Sequence, residues 1–308
     1  MLTILSGGTG TPKLIQGLNQ VLPQQELNII VNTAEDVEVS GLRVSPDLDT
    51  VTYTLADMID EEKWYGIEND TFHVHETLEE LGRKEILKIG DRDRAIKLYR
   101  TLKMKEGAEL SEVTNDISRE LGVQAKIMPM TNDQVTTEII TENGSMSFHE
   151  FWVEKNAENE VKEVNFINSE NASPAPGVIK AIDESSGVVI GPSNPVTSIN
   201  PILSIEEIRV ALERNKEKVL SISPVLGEAP VSGPTDVLMR GLGYEVNPFS
   251  VAEMYKDFVS EFMIHESDEK WVEKISDLGI RVTIRNILMN SNTEKRKLAQ
   301  EMLEQLDY

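Results

Sequence analysis

The sequence predicts an α/β protein: a Rossmann-like, mostly parallel sheet with helices on both faces, carrying a helical insertion. Two observations predict it. Short apolar runs ending in glycine- or proline-rich turns alternate with amphipathic helical patterns, the signature of βα units around a parallel sheet. The first run, Leu2-Thr3-Ile4-Leu5, passes straight into Ser6-Gly7-Gly8-Thr9-Gly10-Thr11-Pro12-Lys13 and then into the helical spacing Leu14, Ile15, Leu18. A chain of 308 residues can bury a large core in one such domain.

Strands are expected at residues 2–5, 27–31, 125–128, 135–140, 187–190, 219–222 and 280–283, each a short apolar run bounded by turn formers. Helical spacing falls at 11–21, 204–215 and 250–262, and an amphipathic closing helix is expected at 293–306 with Thr293 as its N-cap. Residues 61–122 are rich in Glu, Lys, Arg and Leu at helical spacing with almost no strand signal, and read as a helical insertion between core segments 1–60 and 123–308. Its helices are expected at 75–81, 92–104 and 110–121, the last capped by Ser111 with Glu112 nearby or by the preceding turn. The acidic stretch 156–163 reads as a hairpin turn or exposed loop.

A formal charge of -23 argues against a nucleic-acid partner and against an anionic membrane surface, since both would be repelled. No apolar run approaches the roughly 18 residues of a membrane span, and Met1 leads directly into a core strand, so a cytoplasmic location is expected. The absence of cysteine excludes disulfides, thiolate metal sites and a cysteine nucleophile. His73, His75, His149 and His265 are too scattered for a zinc site, although His73 and His75 would point the same way on a strand.

Three glycines in four positions leave backbone N–H groups bare, and the following helix adds its positive end, so the first loop suits a phosphate. The same residues suit an ordinary βα turn. It lacks the G-x-G-x-x-G spacing, and Asn32 and Thr33 stand where a dinucleotide enzyme wants an acid for the ribose, so a nicotinamide dehydrogenase is disfavoured. Further on, Asp47 and Asp49 share one face if their segment is extended, a spacing suited to magnesium beside a phosphate. Alternatively Asp49 or Thr50 caps a helix over 51–58.

In the insertion, Lys88-Ile89-Gly90-Asp91-Arg92-Asp93-Arg94 offers Arg92 and Arg94 as phosphate grips with Lys88 as a point charge, or else a capped helix with internal salt bridges. Gly191-Pro192-Ser193-Asn194-Pro195 is a stiffened loop that leaves the Ser193 and Asn194 donors free for a ligand, and residues 223–236 have the same character. Together these loops suggest one crevice at the carboxyl ends of the strands. In Phe148-His149-Glu150-Phe151-Trp152, the histidine reads as structural rather than as a base, while the aromatic residues suit stacking on a flat heterocycle.

The segments 6–14, 32–55, 88–101, 127–138, 148–154, 191–204 and 223–239, in this order, resemble the 2-phospho-L-lactate transferases of deazaflavin coenzyme biosynthesis nearly end to end. A looser similarity, mainly in the first glycine loop and the Gly-Pro-Ser-Asn-Pro loop, links the chain to nucleotide-sugar-binding regulators of the gluconeogenesis-factor type. The first resemblance implies transfer of a 2-phospho-L-lactyl group from lactyl-2-diphospho-5'-guanosine to the ribityl hydroxyl of the deazaflavin Fo. The products are GMP and the glutamate-free coenzyme precursor, and Mg2+ is required. It implies Gly7, Gly8, Thr9, Gly10, Lys13, Asn32, Ser193 and Asn194 on the guanosine diphosphate side, and Asp49, Lys88 and Arg92 on the Fo side. Asp47 and Asp49 are implied as metal ligands or as groups orienting the attacking hydroxyl. A homodimer acting on small molecules alone is expected.

Overall fold

A computed structural model describes residues 1–230 and 233–308. Val231 and Ser232, in the glycine-proline loop 223–236, lie outside the described residues. In chain order the strands are β1 (Leu2–Ser6), β2 (Leu27–Val31), β3 (Val37–Val39), β4 (Leu42–Val44), β5 (Lys126–Pro129), β6 (Thr136–Thr141), β7 (Gly144–Ser147), β8 (Val161–Ile167), β9 (Gly187–Ile190), β10 (Val219–Ile222), β11 (Val225–Leu226), β12 (Ala229–Pro230), β13 (Glu261–His265) and β14 (Arg281–Arg285). The helices are α1 (Gly10–Leu18), α2 (Pro46–Leu55), α3 (His73–Glu80), α4 (Asp91–Lys105), α5 (Leu110–Glu120), α6 (Val178–Asp183), α7 (Asn200–Leu203), α8 (Glu206–Arg214), α9 (Thr235–Gly241), α10 (Pro248–Tyr255), α11 (Val272–Ser276) and α12 (Asn292–Gln305). No helix among the described residues is long and apolar enough to cross a membrane.

The main sheet runs β14-β13-β10-β9-β1-β2-β5, with every neighbouring pair parallel. The chain starts in the middle, winds outward through β2 and β5, then returns to the other side of β1 and winds outward again from β9 to β14. β1 and β9 therefore flank the point where the winding reverses, the usual place for a ligand in such a sheet.

Strand side chains alternate between two apolar layers. Ile4, Ile29, Val189, Leu220 and Met263 meet Leu14 and Leu18 of α1, Val51 of α2 and Met302 of α12. Leu5, Ile30, Ile190, Val219 and Phe262 meet helices α6 to α11 through Ile182, Ile202, Ile208, Val251 and Ile275. A parallel sheet buried on both faces needs helices on both, which is the Rossmann-like α/β architecture the sequence predicts.

Several elements differ from expectation. The run at 135–140 is not a main-sheet strand: β6 is the centre of an antiparallel sheet β7-β6-β8, and its alternating burial fits a sheet with one covered face. The expected loop 156–163 runs into β8, and the aromatic stretch at 148–154 holds a wide π-type turn over Glu150–Glu154. The helical pattern at 250–262 joins two elements, because α10 stops at Tyr255 and β13 begins at Glu261; a buried helix followed by a buried strand gives one continuous apolar signal. Helix α12 is capped by Ser291, whose Oγ accepts from the Glu294 N–H, rather than by Thr293. The cap of α5 is a Glu109/Glu112 capping box. Within 61–122, α3 and α4 form the added layer, while α5 packs on β5 as part of the crossover from β2.

Candidate active site

The first glycine loop and the Gly-Pro-Ser-Asn loop leave β1 and β9 side by side, and they interlock. The N–H groups of Gly7 and Thr11 donate to Ser193 Oγ at 3.2 and 3.3 Å, and Thr11 Oγ1 lies 2.7 Å from the same oxygen. A Cβ on Gly10 would stand 1.9 Å from the Pro192 carbonyl oxygen, and one on Gly191 2.2 Å from Thr11 Oγ1. These glycines are required by close backbone approach. Ser193 is thus a fastener between the loops and not the free donor that the loop sequence suggests. Asn194 Oδ1 accepts from the Val196 and Thr197 N–H groups at 2.9 and 3.3 Å, capping the turn over Pro195–Ile199.

What remains open at the crest is Gly8 and Thr9. Their N–H groups have no partner among the described residues, and exposed Thr9 stands at the N-cap of α1 without a side-chain capping bond. Open N–H groups at a helix start are the kind of place that can hold an anion.

The second loop supplies the opposite charge. Pro46 begins α2 directly after Ser45, because a proline at the first helical position fits the helix and loses no needed N–H. Asp47 and Asp49 consequently sit in the first turn of a helix, not on one face of an extended strand. Two residues along a helix turn about 200°, so the two carboxylates diverge. Asp47 turns to the glycine loop, where a Cβ on Gly8 would stand 2.3 Å from its Oδ1, and its Oδ2 accepts from Asn32 Nδ2 at 3.0 Å. The same Asn32 nitrogen donates to the Thr197 carbonyl at 3.2 Å, and its Oδ1 accepts from the Ala34 N–H at 2.9 Å. Asn32 is therefore a buried brace that ties its own loop to Asp47 and to the Thr197 backbone.

Asp49 turns the other way, onto a polar face of α4. Asp93, Lys97, Arg100 and Thr101 are buried at helical spacing along that face. Arg100 grips Asp49 with both terminal nitrogens, Lys97 Nζ lies 3.0 Å from Asp49 and also pairs with Asp93, and Tyr53 Oη donates to Asp93 at 2.6 Å. Two acids two residues apart are thereby driven in opposite directions. Burial would raise Asp49, but the charges and hydrogen bonds of Arg100 and Lys97 outweigh it and hold the carboxyl below its usual range. Burial raises Asp47 to about 7 against only the Asn32 hydrogen bond. Burial and the nearby Asp47 charge push Glu35 well upward, and its Oε1 is buried without a hydrogen-bond partner among the described residues. Asp36, whose Oδ2 accepts from Ser45 Oγ at 2.7 Å, is raised to about 7, chiefly by burial.

In the insertion the charged run is mostly structural. Asp70 accepts from the Arg92 and Asp93 N–H groups at the start of α4, and Asp91 accepts from the His73 and Val74 N–H groups at the start of α3, so each acid caps one helix. Arg94 makes a two-point contact with Glu85, which also bonds His75 Nδ1 at 2.8 Å, so Arg94 is not a phosphate grip. Both His73 and His75 lie on α3, not on a strand. Lys88 and Arg92 stay exposed. Lys88 sits 4.3 Å from the Phe72 ring centroid and, with Tyr65, Phe72 and Asp70, lines a cavity of about 100 Å³. The structure thus groups the glycine loop, Asn32 and Asp47 in one place, while Lys88 and Arg92 lie on the insertion.

Lys13 leaves the loop and lies 5.1 Å from the Trp64 ring centroid. His149 is buried, donates Nε2–H to the Glu35 carbonyl at 2.8 Å, and burial depresses its pKa, so it is a neutral brace under the second loop. Sequence reasoning missed Glu35, Lys97 and Arg100. A signal existed for the last two: Asp93, Lys97 and Arg100 repeat at helical spacing in a helix whose other faces are also polar.

The described residues contain no group of three or more His, Asp or Glu side chains placed to hold a metal. The fit to magnesium is of another type, in which one or two carboxylates act together with substrate phosphates. An anion on the Gly8 and Thr9 N–H groups would lie against the Asp47 carboxylate, which a divalent cation between them would reconcile. Asp49 is instead engaged by Arg100 and Lys97.

The profile of the 2-phospho-L-lactate transferase CofD family matches residues 2–302. The chain is 44% identical over 308 residues to the 2-phospho-L-lactate transferase of Methanococcus maripaludis strain C6, covering 98% of each. It is 45% identical over 308 residues to that of Methanocaldococcus jannaschii, covering 99% of this chain and 97% of the relative. The protein of the same name from Methanosarcina mazei is 45% identical over 299 residues, covering 97% of this chain and 98% of the relative. In fold the chain is similar to a UPF0052 family protein from Bacillus halodurans, with a TM-score of 0.68, 18% identity and 98% of each chain covered. The switch-point glycine cradle, the buried acids beside it and an end-to-end match at this level of identity lead to one assignment: the chain belongs to the 2-phospho-L-lactate transferase CofD family.

Proposed function

We propose that this protein transfers the 2-phospho-L-lactyl group of lactyl-2-diphospho-5'-guanosine to the ribityl hydroxyl of Fo (7,8-didemethyl-8-hydroxy-5-deazariboflavin), with magnesium. In this reaction the hydroxyl oxygen forms a bond to the phosphorus bearing lactate, the bond from that phosphorus to the bridging oxygen breaks, and GMP leaves with the electron pair while the hydroxyl proton is released. Displacement at phosphorus depends on in-line positioning and charge neutralisation more than on covalent help. The observation that carries the reading is the meeting of Gly8 and Thr9 N–H groups with buried Asp47, donors for an anion beside a carboxylate that has no cation opposite it among the described residues.

In this reading the first loop, with Thr9 and Gly10, holds the diphosphate and Asn194 meets the nucleotide through its remaining amide donor. Asp47 with Glu35 would hold magnesium, which when bound would neutralise charge on the diphosphate and the departing GMP. Lys88 and Arg92 serve the Fo side, where Tyr65 and Phe72 offer aromatic surface beside the Lys88 ammonium. Asp49 acts through α4, not on substrate. A cytoplasmic homodimer belongs to the same reading, and α4 leaves Leu98, Tyr99 and Leu102 exposed to water.

The test is to incubate the protein with both substrates and Mg2+ and to follow GMP release by chromatography and the new phosphodiester by phosphorus NMR. GMP and phospholactyl-Fo in equal amounts are expected. Guanine nucleotide binding with neither product would sink the transferase reading and favour a binding-only regulator.

A further inference from the structure

Lys13 lies three residues beyond Gly10, and helix geometry tilts its stem back toward the N-terminus and the glycine loop. Its ammonium is nevertheless seated on Trp64. Lys13 Nζ and Lys295 Nζ stand 5.1 and 4.7 Å from the centroid of that one ring. The two cations differ in their ties. Lys295, only 4% exposed, donates to Gln16 Oε1 at 2.6 Å and to Glu61 Oε2 and Asn292 Oδ1 at 3.2 Å each. Lys13 has no carboxylate partner among the described residues, and burial, followed by the charge of Lys295, lowers its pKa. Trp64 itself holds a φ of 58°, left-handed backbone unfavourable for a residue other than glycine, with its N–H donating to the Asp60 carbonyl at 2.8 Å.

We propose that Trp64 and Lys295 are positioning residues for the donor diphosphate, seating the Lys13 ammonium on an aromatic face from which it transfers to the phosphate held at the glycine loop. This rests on the phosphate reading of that loop. In a chain of net charge -23, a loose lysine would pair with a carboxylate that then competes with substrate. An aromatic seat holds the cation without supplying a competing anion. The fixed Lys295 charge repels Lys13 from its seat, and a charge-assisted hydrogen bond to phosphate is stronger than a cation–π contact, so the diphosphate wins.

Tryptophan emission reads the transfer directly. The full-length protein is titrated with GDP and with inorganic pyrophosphate while binding is measured in parallel by calorimetry. An emission change that saturates with binding is expected, lost in Trp64→Phe although Trp152 and Trp271 remain. Lys13→Met should abolish the change and weaken pyrophosphate roughly ten- to hundredfold, while Lys13→Arg should retain most of both. Pyrophosphate affinity unaltered in Lys13→Met, or an emission change that persists in that variant, would overturn the proposal and leave the loop reading standing. Failure of the wild-type protein to bind either ligand would overturn both.

Discussion

Replacing Arg100 by Met tests whether α4 is locked to α2 by charge. Arg100 is 2% exposed and contacts both oxygens of Asp49, which is itself 4% exposed. Removing one partner of a buried pair costs about 3–5 kcal/mol, because the other charge stays behind. Lys97, 3.0 Å from Asp49, still faces it, so the lower end applies, and Met fills much of the aliphatic volume. With an unfolding entropy of about 0.65 kcal/mol/K for 308 residues, about 3 kcal/mol corresponds to a fall in Tm of roughly 4–6 °C.

Acid should shrink that difference. In the wild type burial raises Asp49 and its two cations more than cancel the effect, so its folded pKa lies below the unfolded value. That stabilisation is complete above the unfolded pKa of about 3.9 and is lost as pH falls through the folded value. In the variant burial acts with one cation fewer, and Asp49 takes a proton at higher pH, which relieves the penalty. The assay is thermal and urea unfolding by circular dichroism at several pH values, with Asp49→Asn combined with Arg100→Met expected to recover most of the loss. A Tm within about 2 °C of wild type at neutral pH, or a loss as large near pH 4 as near pH 8, would refute the reasoning.

Asp47→Asn should cut turnover by about two orders of magnitude or more and abolish Mn2+ binding seen by electron paramagnetic resonance, with little loss of stability, since it removes a buried acid lacking a cation. Asp49→Asn should keep Mn2+ binding, and equal metal affinity in both variants would count against Asp47 as ligand. Because Asp47 and Asp36 are each raised to about 7, the folded state binds more protons than the unfolded one between about pH 4 and 7. Stability of the metal-free protein should therefore fall as pH rises through that window, and Mg2+ should lift Tm more at pH 8 than at pH 5.5; calorimetry showing the reverse order would contradict the assignment. Gly10→Ala should destabilise by about 1–3 kcal/mol, since its Cβ meets the Pro192 backbone at 1.9 Å. Gly8→Ala meets only the Asp47 side chain at 2.3 Å and should lower activity more than melting temperature.

The core of the fold was legible because it rests on local signals. β9 and β10 occupy the runs at 187–190 and 219–222, and the glycine loop after β1 announces both a strand end and a helix start. β13 was hidden because α10 and the strand after it form one apolar stretch, and β6 was assigned to the wrong sheet because pairing is a long-range property. The site was legible as a set of loops but not as a set of roles. Ser193 and Asn32 look like free donors in sequence, yet which donor stays free depends on neighbours more than a hundred residues away, Thr11 for one and Thr197 for the other. Asp47 and Asp49 were found, but their division depended on whether Pro46 opens a helix or ends a turn.

That division ties the insertion to the phosphate site. A single helical turn aims Asp47 at Gly8 and Asp49 at Arg100, so a displacement of α4 that drags Asp49 must also rotate Asp47. The β3–β4 hairpin strengthens the link: the Arg43 N–H donates to Thr101 Oγ1 at 2.8 Å, and Val39 and Val44 pack on Ile89 of the insertion. Three of the contacts between insertion and core, at Asp49, at Arg43 and at Val39 with Val44, fall on the segment that carries the acids. If Arg92 at the start of α4 and Lys88 just before it border the acceptor, ligand contact there reaches Asp47 through a buried ion network rather than a flexible linker. Small shifts in such a network are resisted by the cost of leaving a buried charge unpaired, which favours α4 and the site acids moving as one unit.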